Sequence, residues 1–290
     1  MLNDSDNLCD NNQIKSSLSE LLTVRKSIFE RTLTDNQIPE CNFNFNLDRR
    51  ISGFLLKTQI KGFLSNQNIS LETRKALTEF LNNCITSEEQ LLRIISLFYN
   101  IGISKAQSTS SYNSEFDSYK FVPKNETNTC CAFFNGLGDK LIGFNPLFIS
   151  ILDSKDILNV FYHEVLHHKK DHIRLIENYT NLIKKNVSLS HEDKTRELDF
   201  LNIAVDIQVN DEINLSEINI HLFDDRGALV GPVLLIAAIV LGGNSVEREG
   251  NLIIKTKNSK FYKDNFNLSF KHESVDDIIV TLRNSFNFKK

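Results

Sequence analysis

Four of the seven histidines in this 290-residue chain lie in one stretch, FYHEVLHHKKDH, at 161–172. The stretch contains the pattern HExxH, in which His163 and His167 flank Glu164. On a helix, residues four apart are separated by about 40° around the axis and about 6 Å along it, so both imidazoles can reach one tetrahedral ion. The spacing therefore predicts a metal site, and the pattern favours one Zn²⁺ ion.

Glu164 follows His163 by about 100° around the helix, so its carboxylate can face a water beside the metal without binding the metal itself. In hydrolases with this pattern, zinc lowers the pKa of the water, and the carboxylate accepts the proton and later delivers it to the leaving amine. We therefore predict Glu164 as a general base and hydrolysis of a peptide bond as the reaction.

The other two histidines of the stretch fall elsewhere on the helical wheel. His168 lies about 100° from His167, and His172 lies about 180° from His163, on the apolar side, if the helix is straight. We predict His172 as a hydrogen-bonded supporting residue in the core and no role for His168. The alternative is a helix break within HKKD that swings His172 back toward the metal.

A catalytic zinc site commonly takes three protein ligands, so one must come from outside this stretch. The segment LDFLNIAVDIQVNDEI, at 198–213, predicts a helix that is apolar on most sides. Burying a carboxylate without a partner costs several kcal/mol, so Asp206 should be paired or coordinated. We predict that it binds the metal, with an ordinary polar network between helices as the alternative. The polar stripe around it consists of Asp199, Asn202, Asp206 and Asn210.

The elements that position these residues divide the chain into four parts. Residues 1–12 lack apolar periodicity and are predicted to be a disordered tail. Residues 13–104 carry apolar residues at helical spacing and predict a helical N-terminal region. Residues 105–129 are rich in Ser and Asn and predict a polar loop or linker. Residues 130–290 are predicted to form the domain that holds the site.

This last part begins with two strand-like runs, TCCAFF and KLIGF, separated by NGLGD, whose Asn-Gly and Gly-Asp steps are typical of hairpin turns. Pro146 ends the second run because proline cannot donate to a continuing ladder. We therefore predict a small antiparallel sheet beside the HExxH helix. A further strand is expected near Ile253, and helices are expected near Ser154, at 190–213 and at 274–283.

Charge and composition limit the partners. A net charge of −4, with scattered basic residues, predicts neither nucleic acid nor an anionic membrane as partner. The run LVGPVLLIAAIVLGG from Leu229 has about a dozen apolar residues, whereas a bilayer crossing takes about 20, so we expect a buried core helix. The acidic, polar N-terminus and five cysteines without CxxC spacing predict a cytoplasmic protein with reduced thiols.

Four ordered blocks of the chain resemble a known family. This family comprises HExxH metallopeptidase-like domains of bacteria and phages, often fused to a von Willebrand factor A-like domain and encoded near MoxR-type ATPases. Its members show HExxH with another His five residues later, and then Asn, Ala, Asp and Asn at fixed spacing. This chain differs in having Asp171 where the family usually has a small residue, and in lacking a segment similar to the von Willebrand domain. The matching blocks are LIGFNPLFI, HEVLHHKKDHIR, LNIAVDIQVN and HESVDDIIVTL.

The resemblance implies that His163, His167 and Asp206 bind zinc, that Glu164 is the base, and that His172 and Asn210 support them. Asn202, on the same polar stripe, is predicted as a further supporting residue. The implied fold is α+β, mainly helical and zincin-like, with a small sheet above the active-site helix. In that fold an extended peptide substrate could add to an edge strand, for which the candidate is Leu141, Ile142, Gly143 and Phe144; a plain hairpin strand is the alternative.

Two other functions stay open. The chain could be a non-catalytic interaction protein that keeps the fold and the zinc as a scaffold and binds a protein partner through the helical N-terminal region. It could also hydrolyse a non-peptide bond, because HExxH specifies the chemistry of the water more firmly than the bond attacked. The oxyanion stabiliser is not identified by the sequence, and the candidates are Tyr162, Tyr179, His172, Arg174 and His221.

Overall fold

The computed structural model describes residues 65, 70–83, 88–123, 132–135, 140–221, 245–270 and 273–287. Most of these residues are helical and the rest include two small sheets, so the protein is α+β and mainly helical, as the sequence predicts. The predicted tail at 1–12, the predicted core helix at 229–241 and most of 13–69 lie outside the described residues.

Three helices, which begin at Ser154, His191 and Val275, start close to the positions that the sequence predicts. Ser70 Oγ accepts a hydrogen bond from Thr73 N at the start of the helix that begins at Leu71. Ser190 Oγ accepts one from Asp193 N at the start of the helix that begins at His191. The helices of the described residues are α1 (Leu71–Asn83), α2 (Glu88–Tyr112), α3 (Pro146–Ile151), α4 (Ser154–Lys169), α5 (His172–Lys185), α6 (His191–Glu212), α7 (Ser259–Phe266) and α8 (Val275–Asn287).

Two three-stranded sheets accompany the helices. The first has the order β1-β3-β2, where β1 is Lys120–Pro123, β2 is Ala132–Asn135 and β3 is Leu141–Phe144. β2 and β3 pair antiparallel, as the hairpin prediction requires, but β1 pairs parallel to β3, so this sheet is mixed. The second sheet is antiparallel, with the order β4-β6-β5. Its strands are β4 (Glu217–His221), β5 (Ser245–Arg248) and β6 (Asn251–Lys255).

The predicted polar loop at 105–129 is wrong for much of its length, because α2 continues to Tyr112 and β1 begins at Lys120. The Ser-rich end of α2 is polar on its exposed face, while Ala106 on its inner face is fully buried. Lys105 Nζ donates to the backbone oxygens of Ser150 and Leu152, at 2.9 Å and 2.8 Å, and so binds the carbonyls at the end of α3. Small and polar side chains here serve close helix packing.

The prediction of Leu141–Phe144 as an edge strand is also wrong. β3 is the central strand of its sheet, paired with β1 on one side and with β2 on the other. Both rows of backbone hydrogen-bonding groups of β3 are therefore used within the protein, and a peptide cannot add to it. The error follows from the previous one, because β1 lies in the segment predicted as a loop.

The helix that carries HExxH lies between the first sheet and α6. On one side of α4, Phe161 is fully buried. The centroid of its ring lies 4.4 Å from the ring centroid of Phe121 and 6.2 Å from that of Phe144. α6 packs against α4, α5 and α8, and its apolar side chains join a core with Tyr262 and Leu282. The buried residues of α6 lie in its second half, from Phe200 onward, where most polar residues are grouped in one stripe.

None of the helices in the described parts of the chain combines the length and the hydropathy that a membrane crossing requires.

Candidate metal centre

A helix break shapes the HExxH region. α4 ends at Lys169 and α5 begins at His172, while Asp171 between them adopts φ 54° and ψ 33°. Aspartate enters this left-handed region more readily than most residues. The prediction of a straight helix, which placed His172 on the side opposite His163, is therefore wrong. The structure contains the alternative, a helix break within HKKD. His172 Nδ1 consequently lies 2.9 Å from His167 Nδ1.

The three predicted metal ligands come together. His163 Nε2 lies 2.9 Å from His167 Nε2, and Asp206 Oδ1 lies 3.7 Å from the former and 3.5 Å from the latter. α4 supplies both histidines, and α6 supplies Asp206 from its polar stripe. Among the described residues, this is the group of side chains that could hold a metal ion.

The size of this triangle fits a metal ion such as zinc. Three atoms with these separations are equidistant from a point about 2.0 Å from each, and Zn–N and Zn–O bonds are about 2.0–2.2 Å long. Two imidazoles and one carboxylate are ligands that zinc takes, and three protein ligands leave a position for water. Both the donor set and its dimensions therefore suit a divalent ion.

Asn210 orients the first of the two histidines. Asn210 Nδ2 donates to the backbone oxygen of Lys257 at 2.8 Å, so the amide oxygen faces the other way, 2.8 Å from His163 Nδ1. An amide oxygen only accepts, so His163 carries its proton on Nδ1. Its Nε2 therefore presents a lone pair toward His167 and Asp206. Hydrogen bonds of this kind fix the orientation of metal-binding histidines.

His172 contacts the second histidine from within the core. It is 2 % exposed, its Nδ1 faces His167, and its Nε2 lies 3.3 Å from Gln208 Oε1. Burial, reinforced by the neighbouring His167, lowers the pKa of His172 to about 4. The ring is therefore neutral near pH 7, and one of its nitrogens can accept a hydrogen bond.

Glu164 lines a cleft of about 470 Å³ together with the three candidate ligands and is 7 % exposed. Asn202, one turn before Asp206 on α6, lines the same cleft and is exposed. The Asp206 side chain is 34 % exposed, so the site is open to solvent. The remaining wall is mostly apolar and includes Ala132, Val160, Ile173, Ile176, Val205, Leu215 and Ile218.

A second cavity, of about 930 Å³, shares no lining residue with this cleft. Its wall includes Gln208 and Glu273 but none of the candidate ligands. This cavity is the larger of the two, but the side chains that could bind a metal line the smaller cleft.

Most of the candidate oxyanion stabilisers do not line the cleft. Of the five, only His172 is among the residues that line the cleft. The Tyr162 hydroxyl accepts a hydrogen bond from Asn113, and the Tyr179 hydroxyl bonds Glu197. Arg174 and His221 are exposed. His168, for which we predicted no role, lies with its Nδ1 2.9 Å from the Tyr119 hydroxyl.

Two residues near the site were missed in the sequence. Gln208 follows Asp206 by two residues, about 200° around the helix, and so falls outside the polar stripe. Tyr262, in α7, is buried, and this burial, together with the negative charge of Asp206, raises its pKa to about 12. The sequence contains one sign that Gln208 has a role. It is a single glutamine on an apolar helix face, and a buried amide needs hydrogen-bond partners.

Asp156 fastens the start of the HExxH helix to the second sheet. It is 4 % exposed, and its Oδ2 accepts a hydrogen bond from the backbone N–H of Asn219 in β4 at 3.0 Å. Burial raises the pKa of this carboxyl to about 6. The neighbouring β4 residue Ile218 lines the cleft, so the contact links α4 to a strand that contributes to the wall of the site.

Comparisons with known proteins give no match: no protein-family model, no curated protein and no solved structure is found to be similar to this chain. The family resemblance of the four sequence blocks therefore stays a prediction, and the geometry of the site carries the argument about function.

Proposed function

We propose that this protein is a zinc-dependent metallopeptidase of zincin-like fold, with Glu164 as its general base. The observation that carries the proposal is the triangle of His163 Nε2, His167 Nε2 and Asp206 Oδ1, with separations of 2.9–3.7 Å. Its size suits zinc, and its atoms belong to a cleft that also contains Glu164.

His163, His167 and Asp206 would hold a zinc ion, which would supply a Lewis acid and lower the pKa of a bound water. Glu164 accepts a proton from the attacking water and then delivers it to the leaving amine. Its low exposure in a partly apolar cleft strengthens its electrostatic interaction with the other charges of the site. Asn210 holds the ring of His163 in the orientation that the site needs.

We propose that a peptide substrate pairs with β2 and not with β3. β2 contacts α4, and its residue Ala132 lines the cleft. Within the described residues, β2 is an outer strand of its sheet, with β3 on one side only. An extended substrate would add along the other side of β2 by main-chain hydrogen bonds.

Two substitutions test the proposal. Glu164→Gln keeps a side chain of the same shape but cannot accept the proton, so zinc content should stay at one ion while peptide hydrolysis falls by about 10²-fold or more. Asp206→Ala should lower zinc affinity by removing a ligand. The matched controls are Glu177→Gln and Asp199→Ala, which replace exposed acidic residues on α5 and α6 and should change neither quantity.

The assays are metal analysis at limiting zinc and turnover of a broad peptide library by the zinc-loaded protein. Full zinc occupancy in the Asp206→Ala protein would remove Asp206 from the ligand set. Equal library profiles for the wild type and Glu164→Gln would remove peptide hydrolysis and would favour the scaffold function, in which zinc is held without catalysis.

A further inference from the structure

A chain of hydrogen bonds begins at the backbone carbonyl of Glu273 and ends at the ring of His167. Its first link joins Gln208 Nε2 to the Glu273 oxygen, at 3.1 Å. A carbonyl oxygen can only accept, so Gln208 must turn its NH₂ toward Glu273. The orientation of the Gln208 amide is therefore set by the backbone, and its oxygen points in the other direction.

The Gln208 oxygen determines the proton position on His172. Gln208 Oε1 lies 3.3 Å from His172 Nε2, and an amide oxygen cannot donate, so the His172 proton sits on Nε2. The other nitrogen of a neutral imidazole carries a lone pair. That nitrogen, His172 Nδ1, lies 2.9 Å from His167 Nδ1, so His167 must carry its proton on Nδ1 in order to donate.

The proton position on His167 matters because two arrangements compete. With the proton on Nδ1, the Nε2 lone pair of His167 faces His163 and Asp206 and can bind a metal. With the proton on Nε2, His167 would donate to His163 Nε2, which is 2.9 Å away, and this internal hydrogen bond would occupy the space of the metal. The two tautomers thus correspond to a receptive site and a closed one.

We infer that Gln208 is a positioning residue that selects the receptive tautomer of His167, acting through His172. This inference rests on the proposed metal site. The corresponding contact on the other ligand supports it, because Asn210 orients His163 in the same way from the backbone oxygen of Lys257. One histidine is oriented directly by an amide, and the other through an intervening imidazole.

The first test is the tautomeric state in the metal-free protein, read from the ¹⁵N chemical shifts of the histidine rings by NMR near pH 7.5. In the wild type we expect protons on His167 Nδ1 and His172 Nε2. In Gln208→Met, which removes both amide contacts at similar size, the Nδ1 proton of His167 should be partly lost to Nε2. A wild type with His172 protonated on Nδ1 would overturn the inference even if the variant did not fold.

The second test is zinc affinity, measured by competition with a chelator. Gln208→Met should bind zinc about 10-fold more weakly, the lower end of the usual effect of removing a partner of a metal-binding histidine. The control is Gln107→Met, an exposed position on α2, which should leave affinity unchanged. A Gln208→Met protein that kept both the wild-type tautomer and the wild-type affinity would overturn the inference.

Substitution of His172 separates orientation from simple packing. His172→Asn places an amide oxygen near the position of Nδ1 and retains an acceptor for His167, so zinc affinity should stay within about threefold of the wild type. His172→Leu removes the acceptor and should weaken binding about 10-fold or more. Equal losses in the two variants would contradict the relay.

These outcomes are distinct from failure of the proposed function. If the wild type binds no zinc but shows the expected tautomers, the metal function fails and the role of Gln208 in orienting His167 stands. If the wild type binds zinc and cleaves peptides while Gln208→Met changes neither tautomer nor affinity, the function stands and the inference fails.

Discussion

Replacing Asp156 with asparagine should make the stability of the protein less sensitive to pH between about 4 and 7. The carboxyl is almost fully buried, and burial raises its pKa from 3.8 to about 6. The folded state holds the proton of Asp156 more tightly than the unfolded state. The protonated carboxyl therefore contributes fully to the free energy of unfolding below about pH 3.8, and this contribution is lost as pH rises through about 6. A shift of about two units corresponds to about 3 kcal/mol.

Asparagine retains an oxygen that can accept from the Asn219 N–H, but it cannot ionise. Near pH 4 the wild type and Asp156→Asn should therefore differ little in free energy of unfolding. Near pH 7 the variant should be more stable by up to about 3 kcal/mol, because the wild type then carries a buried charge. The assay is urea unfolding of the metal-free proteins at several pH values, with linear extrapolation to water.

A third protein separates the charge from the hydrogen bond. Asp156→Ala leaves the Asn219 N–H without its acceptor and should be less stable than the wild type by about 1–3 kcal/mol at pH 4. If the difference between the wild type and Asp156→Asn is the same at pH 4 and pH 7, Asp156 does not titrate in the folded protein as described and the reasoning is refuted.

Three further substitutions test the packing around the site. Gly102→Ala would place a Cβ 1.7 Å from the backbone oxygen of Pro146, so we expect a loss of about 3 kcal/mol or more in urea unfolding, against little change for Ser104→Ala on the exposed face of α2. Asp171→Gly should stabilise the protein by up to about 1 kcal/mol, because glycine adopts positive φ without strain. Asp171→Val should destabilise the protein and weaken zinc binding by displacing His172. Equal thermal stability of the two variants would argue against the helix break. Arg283→Met should cost about 2 kcal/mol, because it leaves Glu197 without its two charged hydrogen bonds, and adding Glu197→Gln should recover part of this loss in a double-mutant cycle.

The parts of the site that could be predicted from sequence are those encoded within one helix. The spacing of His163 and His167 follows from helical geometry, and burial of α6 makes its polar stripe conspicuous, which is why Asp206 and Asn210 could be singled out. Each prediction needed only the residues of a single element. The meeting of the two helices was inferred from the shared need for a metal.

The errors concern contacts between distant segments and single backbone residues. The pairing of β1 with β3 joins Lys120 to Leu141 in parallel, and no local pattern in a polar, Ser-rich segment indicates a partner across that separation. The break at Asp171 depends on one left-handed residue, which an aspartate permits but does not require. Gln208 was missed because its partners are His172 on another helix and a backbone oxygen far downstream.

Orientation of the candidate ligands His163 and His167 depends on a part of the chain that contains none of the three candidate ligands. The amides of Asn210 and Gln208 are held by the backbone oxygens of Lys257 and Glu273, roughly 100 residues after HExxH. If that backbone shifts, each amide loses the contact that fixes its direction, and the ring beyond it is free to change tautomer. A site that is competent for only a fraction of the time binds more weakly by the inverse of that fraction. The amides are held by backbone carbonyls, so the constraint does not depend on the side chains of residues 257 and 273. Metal affinity should therefore respond to the backbone positions of these two residues more than to the identities of their side chains.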